Sequence, residues 1–198
     1  MPLEPPADDG PPRRFLERLR LPSLLGRRPA RLVWAAFVLV NAFLTIGLLA
    51  SLAMLSGTPF IFPSLGPTAF MLFHDPLTPA ASPRNTLCGH AVGIGCGYAA
   101  LALLGLAHEP GVAVEGVDDA RVFAAALALA ATGAIMVLAD LWHPPAGATT
   151  LIVALGIIAK PQHLLVIEAA VALLILQALV INRLAGVPYP LWTADRTT

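Results

Sequence analysis

Four long apolar segments constrain what this chain can fold into. They lie at 32–55, 86–107, 122–139 and 163–184. Each is close to the roughly 20 residues that an α-helix needs to cross the hydrocarbon core of a bilayer. Charged residues make up 12% of the chain, whereas a soluble domain carries about a quarter. The sequence therefore predicts an all-α integral membrane protein with four full transmembrane helices.

Two shorter apolar segments lie between the long ones. They are PFIFPSLGPTAFMLF at 59–73 and PPAGATTLIVALGIIA at 144–159, and both carry Pro and Gly near their start. They are too short and too broken for ordinary spans, so we expect each to be a half-helix entered by an extended segment. Irregular backbone at membrane depth is tolerated only where protein or a water-filled cavity covers it.

The two short segments resemble each other. PSLGPTA at 63–69 aligns with PPAGATT at 144–150, and each follows one long segment and precedes another. We therefore predict two long–short–long repeats, at about 32–107 and 120–184, within a transmembrane domain of residues 32–184. Short, Pro/Gly-broken segments at corresponding places in two halves are typical of a transporter binding site.

The ends of the chain bear on its orientation. Seven of the twelve basic residues precede Leu32, which places the N-terminus in the cytoplasm by the positive-inside rule. Residues 1–31 are expected to be a disordered, basic arm, or in part a helix lying on anionic headgroups, and residues 185–198 a short tail. If both short segments cross, the chain makes six crossings and the repeats are inverted. If both re-enter, four spans remain.

The start of each short segment has the composition of an anion site. Pro145 suits the first turn of a helix, and the small residues after it leave backbone N–H groups accessible to a ligand. Ser64 has the matching place in the first half, so two half-helix N-termini are expected to converge. The alternative is that Pro and Gly break these helices for packing alone. The candidate binding residues are Ser64, Gly66, Thr68, His143, Pro144, Pro145, Ala146, Gly147, Ala148 and Thr149.

The stretch SPRNTLCGH at 82–90 adds three further candidates. A histidine in a membrane span is costly and marks a functional site by default, so His90 is expected to join His143 in hydrogen bonding or proton transfer. Arg84 and Asn85 are candidates for attracting an anion at the cytoplasmic mouth. The alternatives are an interfacial anchor for Arg84, which is also a candidate partner for Asp140, and a core histidine for His90.

The remaining features exclude several classes of function. Glycines at 89, 93 and 97 form a stripe that indicates close helix packing, within or between subunits, and we expect a homo-oligomer. The cysteines and histidines lack the tight spacing of a metal site, and no hydrolase, zinc-protease or phosphate-loop motif is present. We therefore expect no enzyme, no cofactor, no metal and no nucleic-acid partner. The expected partners are a small inorganic anion and the lipid bilayer.

Three stretches, LWHPPAGATTLIVALG, PRNTLCGH and FPSLGPTAFMLF, resemble the HPP family of integral membrane proteins over about 32–184. The resemblance implies a four-helix membrane domain and, from chloroplast and cyanobacterial members, nitrite transport. The residues carried over from the family are Gly66, Arg84, Asn85, Gly89, His90, His143, Pro144, Pro145 and Gly147. We expect a bacterial inner-membrane location. We predict a transporter or channel for a small anion, with nitrite as the first candidate. The alternatives are a non-transporting membrane scaffold or sensor and an intramembrane enzyme with Cys88 as nucleophile.

Overall fold

The computed structural model describes residues 20–194, which form helices joined by short connections. In chain order the helices are α1 (Leu21–Leu25), α2 (Ala30–Ser56), α3 (Leu65–His74), α4 (Pro83–Leu103), α5 (Val112–Glu115), α6 (Asp119–Leu138), α7 (Pro145–Ala154) and α8 (Pro161–Leu184). A short 3-10 helix, Pro79–Ala81, precedes α4. No strand occurs in these residues, so the all-α fold class is confirmed.

Four of the helices are long and apolar enough to cross a membrane. α2, α4, α6 and α8 contain 27, 21, 20 and 24 residues, and a rise of about 1.5 Å per residue makes each about 30 Å or longer. Their bounds lie within four residues of the predicted segments. Large apolar side chains such as Leu39 and Phe43 are 72% and 76% exposed on α2, as expected for a surface that contacts lipid.

The sequence sets the ends of these helices by capping. Ser82 accepts a hydrogen bond from the backbone N–H of Asn85 at 3.3 Å, which begins α4. Asp118 accepts one from the backbone N–H of Arg121 at 2.7 Å, which begins α6. These oxygens satisfy N–H groups that have no partner within the helix. α6 ends at Leu138, and two residues later the left-handed backbone of Asp140, with φ of 53°, turns the chain back into the bundle.

Both short segments run from one end of the bundle toward the other. We call the two ends the Arg84 end and the Arg121 end after the arginine that each carries. α3 begins after the extended residues 57–64, and its last residue, His74, lines a cavity with Trp34 near the start of α2. α3 is therefore antiparallel to α2 and completes the return to the Arg84 end.

α7 runs parallel to α4 and in the opposite sense to α3. Gly89 faces His143 and Ala146, whereas Gly97, two turns further along α4, faces Val153. The residues after α7 reach the Arg121 end, where Gly156 contacts the Arg121 guanidinium. Counting both short segments, the chain makes six passes between the two ends. The inverted relation of the two halves as repeats stays a prediction.

The glycine stripe of α4 is a packing seam inside the subunit. A Cβ added at Gly93 would lie 2.7 Å from the carbonyl oxygen of Ala146, and one at Gly97 would lie 2.8 Å from the Cβ of Val153. Only glycine allows α4 and α7 to approach this closely. The seam fixes the position of α7 along α4, and therefore the position of His143 beside α4.

The ends of the described chain pack on the bundle. Leu21 is buried, and its backbone N–H donates to the carbonyl of Ala185 at 2.8 Å. Tyr189 is fully buried, and its hydroxyl donates to the carbonyl of Ala81 at 2.6 Å. The backbone N–H of Arg84 donates to the carbonyl of Trp192 at 2.9 Å. Residues 20–31 and 185–194 are thus part of the folded body, while the predictions for 1–19 and 195–198 lie outside the described residues.

Candidate functional site

Two histidines meet inside the bundle. His90 lies in the second turn of α4, and His143 lies in the connection between α6 and α7. Their Nε2 atoms are 3.2 Å apart, their ring centroids are 4.9 Å apart, and both side chains are fully buried. The two histidines that were predicted to act together are therefore in direct contact, and their joint role stays a prediction.

Three hydroxyl groups extend the hydrogen bonding of the two rings, two of them in contact with a ring. Thr149 of α7 lies with its Oγ1 2.7 Å from His90 Nδ1 and 2.6 Å from the Oγ of Ser64. The Oγ1 of Thr68 in α3 lies 3.1 Å from His90 Nε2 and donates to the carbonyl of Ser64 at 2.8 Å. All three hydroxyl-bearing residues are fully buried. We call these five residues the histidine cluster: Ser64, Thr68, His90, His143 and Thr149.

One backbone carbonyl fixes the direction of the hydrogen bonds in the cluster. His143 Nδ1 lies 2.7 Å from the carbonyl oxygen of Ala80, and a carbonyl oxygen can only accept. A neutral His143 therefore carries its proton on Nδ1 and presents a lone pair at Nε2. The Thr68 hydroxyl lies 3.1 Å from His90 Nε2 and 3.4 Å from His143 Nε2, but its proton is donated to the Ser64 carbonyl. His90 therefore donates from Nε2 to His143, which leaves Nδ1 of His90 as an acceptor.

The same reasoning continues to the other side of His90. Because His90 Nδ1 accepts, the Thr149 hydroxyl donates to it. The oxygen of Thr149 is then free to accept from the Ser64 hydroxyl. The result is a directed chain from Ser64 through Thr149, His90 and His143 to the Ala80 carbonyl. Each buried ring nitrogen has a partner, as buried polar groups require.

The N-termini of the two short helices meet at this cluster. Ser64 immediately precedes α3, and Thr149 lies in the second turn of α7. The backbone N–H groups that the sequence analysis assigned to an anion are already used in tight turns. Ala146 donates to the His143 carbonyl and Gly147 to the Pro144 carbonyl, each at 3.0 Å. An anion bound by these amides would have to replace those hydrogen bonds.

Several predicted residues lie beside the cluster rather than in it. Gly66 and Pro144 are exposed, and Gly147 and Ala148 are half-buried. A Cβ added at Gly66 would meet no atom within 4 Å, so nothing packs closely against it. Pro145 and Ala146 are buried. The assignment of these residues to anion binding stays a prediction.

Arg84 and Asn85 line a cavity at the Arg84 end. The guanidinium donates to the carbonyls of Ala139 at 3.2 Å and Asp140 at 3.1 Å, and to the side-chain oxygen of Asn85 at 3.2 Å. The meeting of Arg84 and Asp140 that the sequence suggested is therefore present through the Asp140 backbone. The cavity has a volume of about 410 Å³. Its other lining residues are Pro79, Ser82, Asp140, Trp142, Thr193 and Ala194.

This cavity is close to the histidine cluster along the chain. Pro79 precedes Ala80, whose carbonyl binds His143, and Trp142 precedes His143 itself. Ser82 and Asn85 are buried in its lining, with 2% and 6% of their surface exposed. We call this polar cavity the vestibule; no residue of the histidine cluster lines it.

Sequence reasoning missed three groups that hold the site together. The Ala80 carbonyl belongs to the backbone, so the identity of residue 80 could not have indicated its role in the sequence. Thr86 lies one helical turn before His90, and its Oγ1 is 3.5 Å from His143 Nδ1. The spacing of four residues between Thr86 and His90 places both on the same face of α4, and this was visible in the sequence. Tyr189 lies beyond the last span, and burial raises the pKa of its hydroxyl above the ordinary value, which keeps it a donor to Ala81.

A buried arginine at the opposite end was also missed. The side chain of Arg121 is 3% exposed and donates to the carbonyl of Pro110 at 2.8 Å. It joins the start of α6 to the loop that follows α4. The third span was predicted to begin at residue 122, immediately after this arginine, so the prediction gave Arg121 no role.

Comparison with known proteins gives one match. No curated protein and no solved structure matches the chain. The family model described as "HPP, transmembrane region" matches residues 27–190. This range includes α2 to α8, the whole histidine cluster and Tyr189. The chain is therefore a member of the HPP family of multi-pass membrane proteins.

Proposed function

We propose that this protein transports a small anion, as a carrier or a channel, and that nitrite is its first candidate substrate. One observation carries the proposal: two broken helices of opposite direction meet, at their N-termini, around buried histidines within a bundle of membrane-spanning helices. We propose transport rather than catalysis as the role of the histidine cluster.

The chemistry of the cluster suits a small oxyanion. Helix N-termini carry partial positive charge, and hydroxyl and imidazole N–H groups donate hydrogen bonds without burying a full opposite charge. Polar groups inside a membrane bundle are costly and are retained where they line a substrate path. Because Ser64 and Thr149 bridge α3 and α7 directly at 2.6 Å, separation of these two helices would free their hydroxyls for an anion.

The vestibule supports a route to the cluster from the Arg84 end. Its arginine and asparagine supply N–H donors at the mouth, and a charged funnel raises the local anion concentration. We further propose that this end faces the cytoplasm of a bacterial inner membrane, since the Arg-rich N-terminal segment enters the bundle there. A homo-oligomeric assembly remains part of the proposal.

The test is nitrite uptake into proteoliposomes. Wild-type protein should take up nitrite above protein-free vesicles, and the double variant His90→Ala, His143→Ala should lose most of that uptake. His74→Ala is the matched control, because His74 is 48% exposed and lies outside the cluster. Uptake that is equal in the double variant and the control would refute the proposed site.

The closed state of the cluster favours a second candidate, a non-transporting scaffold or sensor. All five side chains of the histidine cluster are fully buried, and their polar atoms already have partners, so they also account for a purely structural core. Under this alternative the wild-type protein would show no more nitrite uptake than protein-free vesicles, while His90→Ala would still lower thermal stability.

A further inference from the structure

We propose that the His90–His143 pair takes up one proton when an anion binds, so that the anion crosses the membrane together with one proton. This inference rests on the proposed transport function and assigns its coupling ion. It follows from the direction of the hydrogen bonds in the histidine cluster, not from the presence of two histidines alone.

The chain of hydrogen bonds has two self-consistent states. In the neutral state each bond points from Ser64 toward the Ala80 carbonyl. If His143 gains a proton, its Nε2 donates to His90 Nε2, and His90 must then carry its own proton on Nδ1. His90 in turn donates to Thr149, whose hydroxyl turns toward Ser64 at the same heavy-atom distances. One added proton therefore reverses the three bonds between Ser64 and His143 without moving a heavy atom, while His143 Nδ1 still donates to the Ala80 carbonyl.

A second added proton has no place in the same geometry. Two imidazolium rings would each carry a proton on Nε2, so two N–H groups would face each other across 3.2 Å. Such an arrangement removes a hydrogen bond and adds repulsion between like charges. The pair is thus built to hold either no extra proton or one.

The groups that face the two rings are uncharged on each side that contacts them. α3 contributes Thr68, α4 contributes Thr86, and α7 contributes Thr149, all through hydroxyl groups. The 3-10 helix contributes the carbonyl of Ala80.

The charged residues closest along the chain belong to the vestibule. They are Arg84 on α4 and Asp140 at the start of the connection that carries His143, and the arginine side chain bonds to the carbonyls that end α6. Within residues 20–194, no side chain that contacts the rings carries a fixed positive charge. The positive charge that compensates an anion therefore has to enter together with the anion, as a proton.

The proton balance of the cycle is simple. The empty pair is neutral; an anion and one proton enter, and the proton converts one imidazole to imidazolium. The reversed bonds leave the Ser64 hydroxyl proton free to donate to the anion. Release of both returns the pair to its neutral state, and no covalent bond forms or breaks. Burying the anion as a neutral ion pair avoids the large cost of burying an isolated charge.

The first test measures protons and nitrite together in wild-type proteoliposomes that contain a pH-sensitive dye. We expect one proton to enter for each nitrite, with no dependence on a membrane potential set by potassium and valinomycin. For uniport of a singly charged anion, about 100 mV would change the equilibrium accumulation about 50-fold. Protein-free vesicles give the passive flux of nitrous acid, which is subtracted.

The possible results separate the two proposals. Nitrite uptake that follows the potential and carries no proton overturns proton coupling but keeps the transport function. No protein-dependent uptake overturns the transport function and, with it, the coupling.

A second measurement counts the protons on the rings directly. The chain has five histidines, and the triple variant His74→Ala, His108→Ala, His163→Ala keeps only the pair. Nitrogen-15 NMR of this variant in lipid should show two neutral rings without nitrite and one imidazolium with saturating nitrite. Two rings that stay neutral, or two imidazolium rings, would overturn the proposal.

Discussion

Replacement of Thr149 by valine tests the hydrogen-bond chain at its centre. Valine has nearly the same shape as threonine, so Thr149→Val removes two hydrogen bonds, to His90 Nδ1 at 2.7 Å and to the Ser64 hydroxyl at 2.6 Å, without creating a large cavity. Side-chain hydrogen bonds between membrane helices contribute about 0.6 kcal/mol on average and up to about 1.7 kcal/mol. Two buried partners are also left unsatisfied, which costs more.

We therefore expect the free energy of unfolding to fall by about 2–3 kcal/mol, a change of about 30- to 150-fold in the unfolding equilibrium. The measurement is reversible unfolding in lipid bicelles, followed by steric trapping or by denaturant titration. The expected loss of unfolding free energy is near the upper end of the range for hydrogen bonds between membrane helices, because both bonds are short and Thr149, His90 and Ser64 are fully buried.

Thr45 provides the matched control on α2. It is also fully buried, but its hydroxyl has no hydrogen-bond partner within the described residues. Thr45→Val removes an unsatisfied polar group, so we expect stability to change by less than about 0.5 kcal/mol or to rise. If Thr149→Val and Thr45→Val unfold with the same free energy, the directed hydrogen-bond chain is refuted.

Two further predictions concern the packing seam and the protonation of the rings. Gly93→Ala would place a methyl group 2.7 Å from the carbonyl oxygen of Ala146 and should lower the free energy of unfolding by about 1–3 kcal/mol. In the control Gly95→Ala the new methyl group meets no atom within 4 Å, so the free energy of unfolding should stay the same or rise by up to about 1 kcal/mol. Equal melting temperatures for the two variants would contradict the seam. Nitrogen-15 NMR of the anion-free protein should find His143 protonated on Nδ1 and His90 on Nε2, because the Ala80 carbonyl can only accept; the reverse assignment would contradict the direction of the chain.

The spans were predictable because length and apolar composition decide whether a helix can cross a bilayer. All four long helices lie within four residues of their predicted bounds, and both ten-residue helices follow Pro- and Gly-containing starts. The helix bounds needed no knowledge of tertiary contacts, since every backbone group in lipid must be satisfied inside its own helix. The glycine stripe likewise predicted a seam but did not reveal its partner, because a smooth helix face fits several neighbours.

The site was predictable only through its side chains. Motif chemistry selected thirteen candidate residues, and five of them, Ser64, Thr68, His90, His143 and Thr149, meet in the cluster. It assigned the anion to backbone N–H groups at the half-helix starts, where the turns before α3 and α7 already use them. Sequence patterns do not record such local backbone pairing.

The least predictable part of the site controls its protonation. The Ala80 carbonyl reaches His143 because the 3-10 helix before α4 is held in place, in part by the Tyr189 hydroxyl on the adjacent carbonyl of Ala81. A residue beyond the last span thus supports the single acceptor that determines which nitrogen of His143 carries the proton. Since that choice fixes every later bond out to Ser64, the folded tail and the histidine cluster form one unit. If α3 moves away from α4 and α7, this unit opens at the 2.6 Å contact between Ser64 and Thr149 and at the 3.1 Å contact between Thr68 and His90, while the histidine pair stays joined.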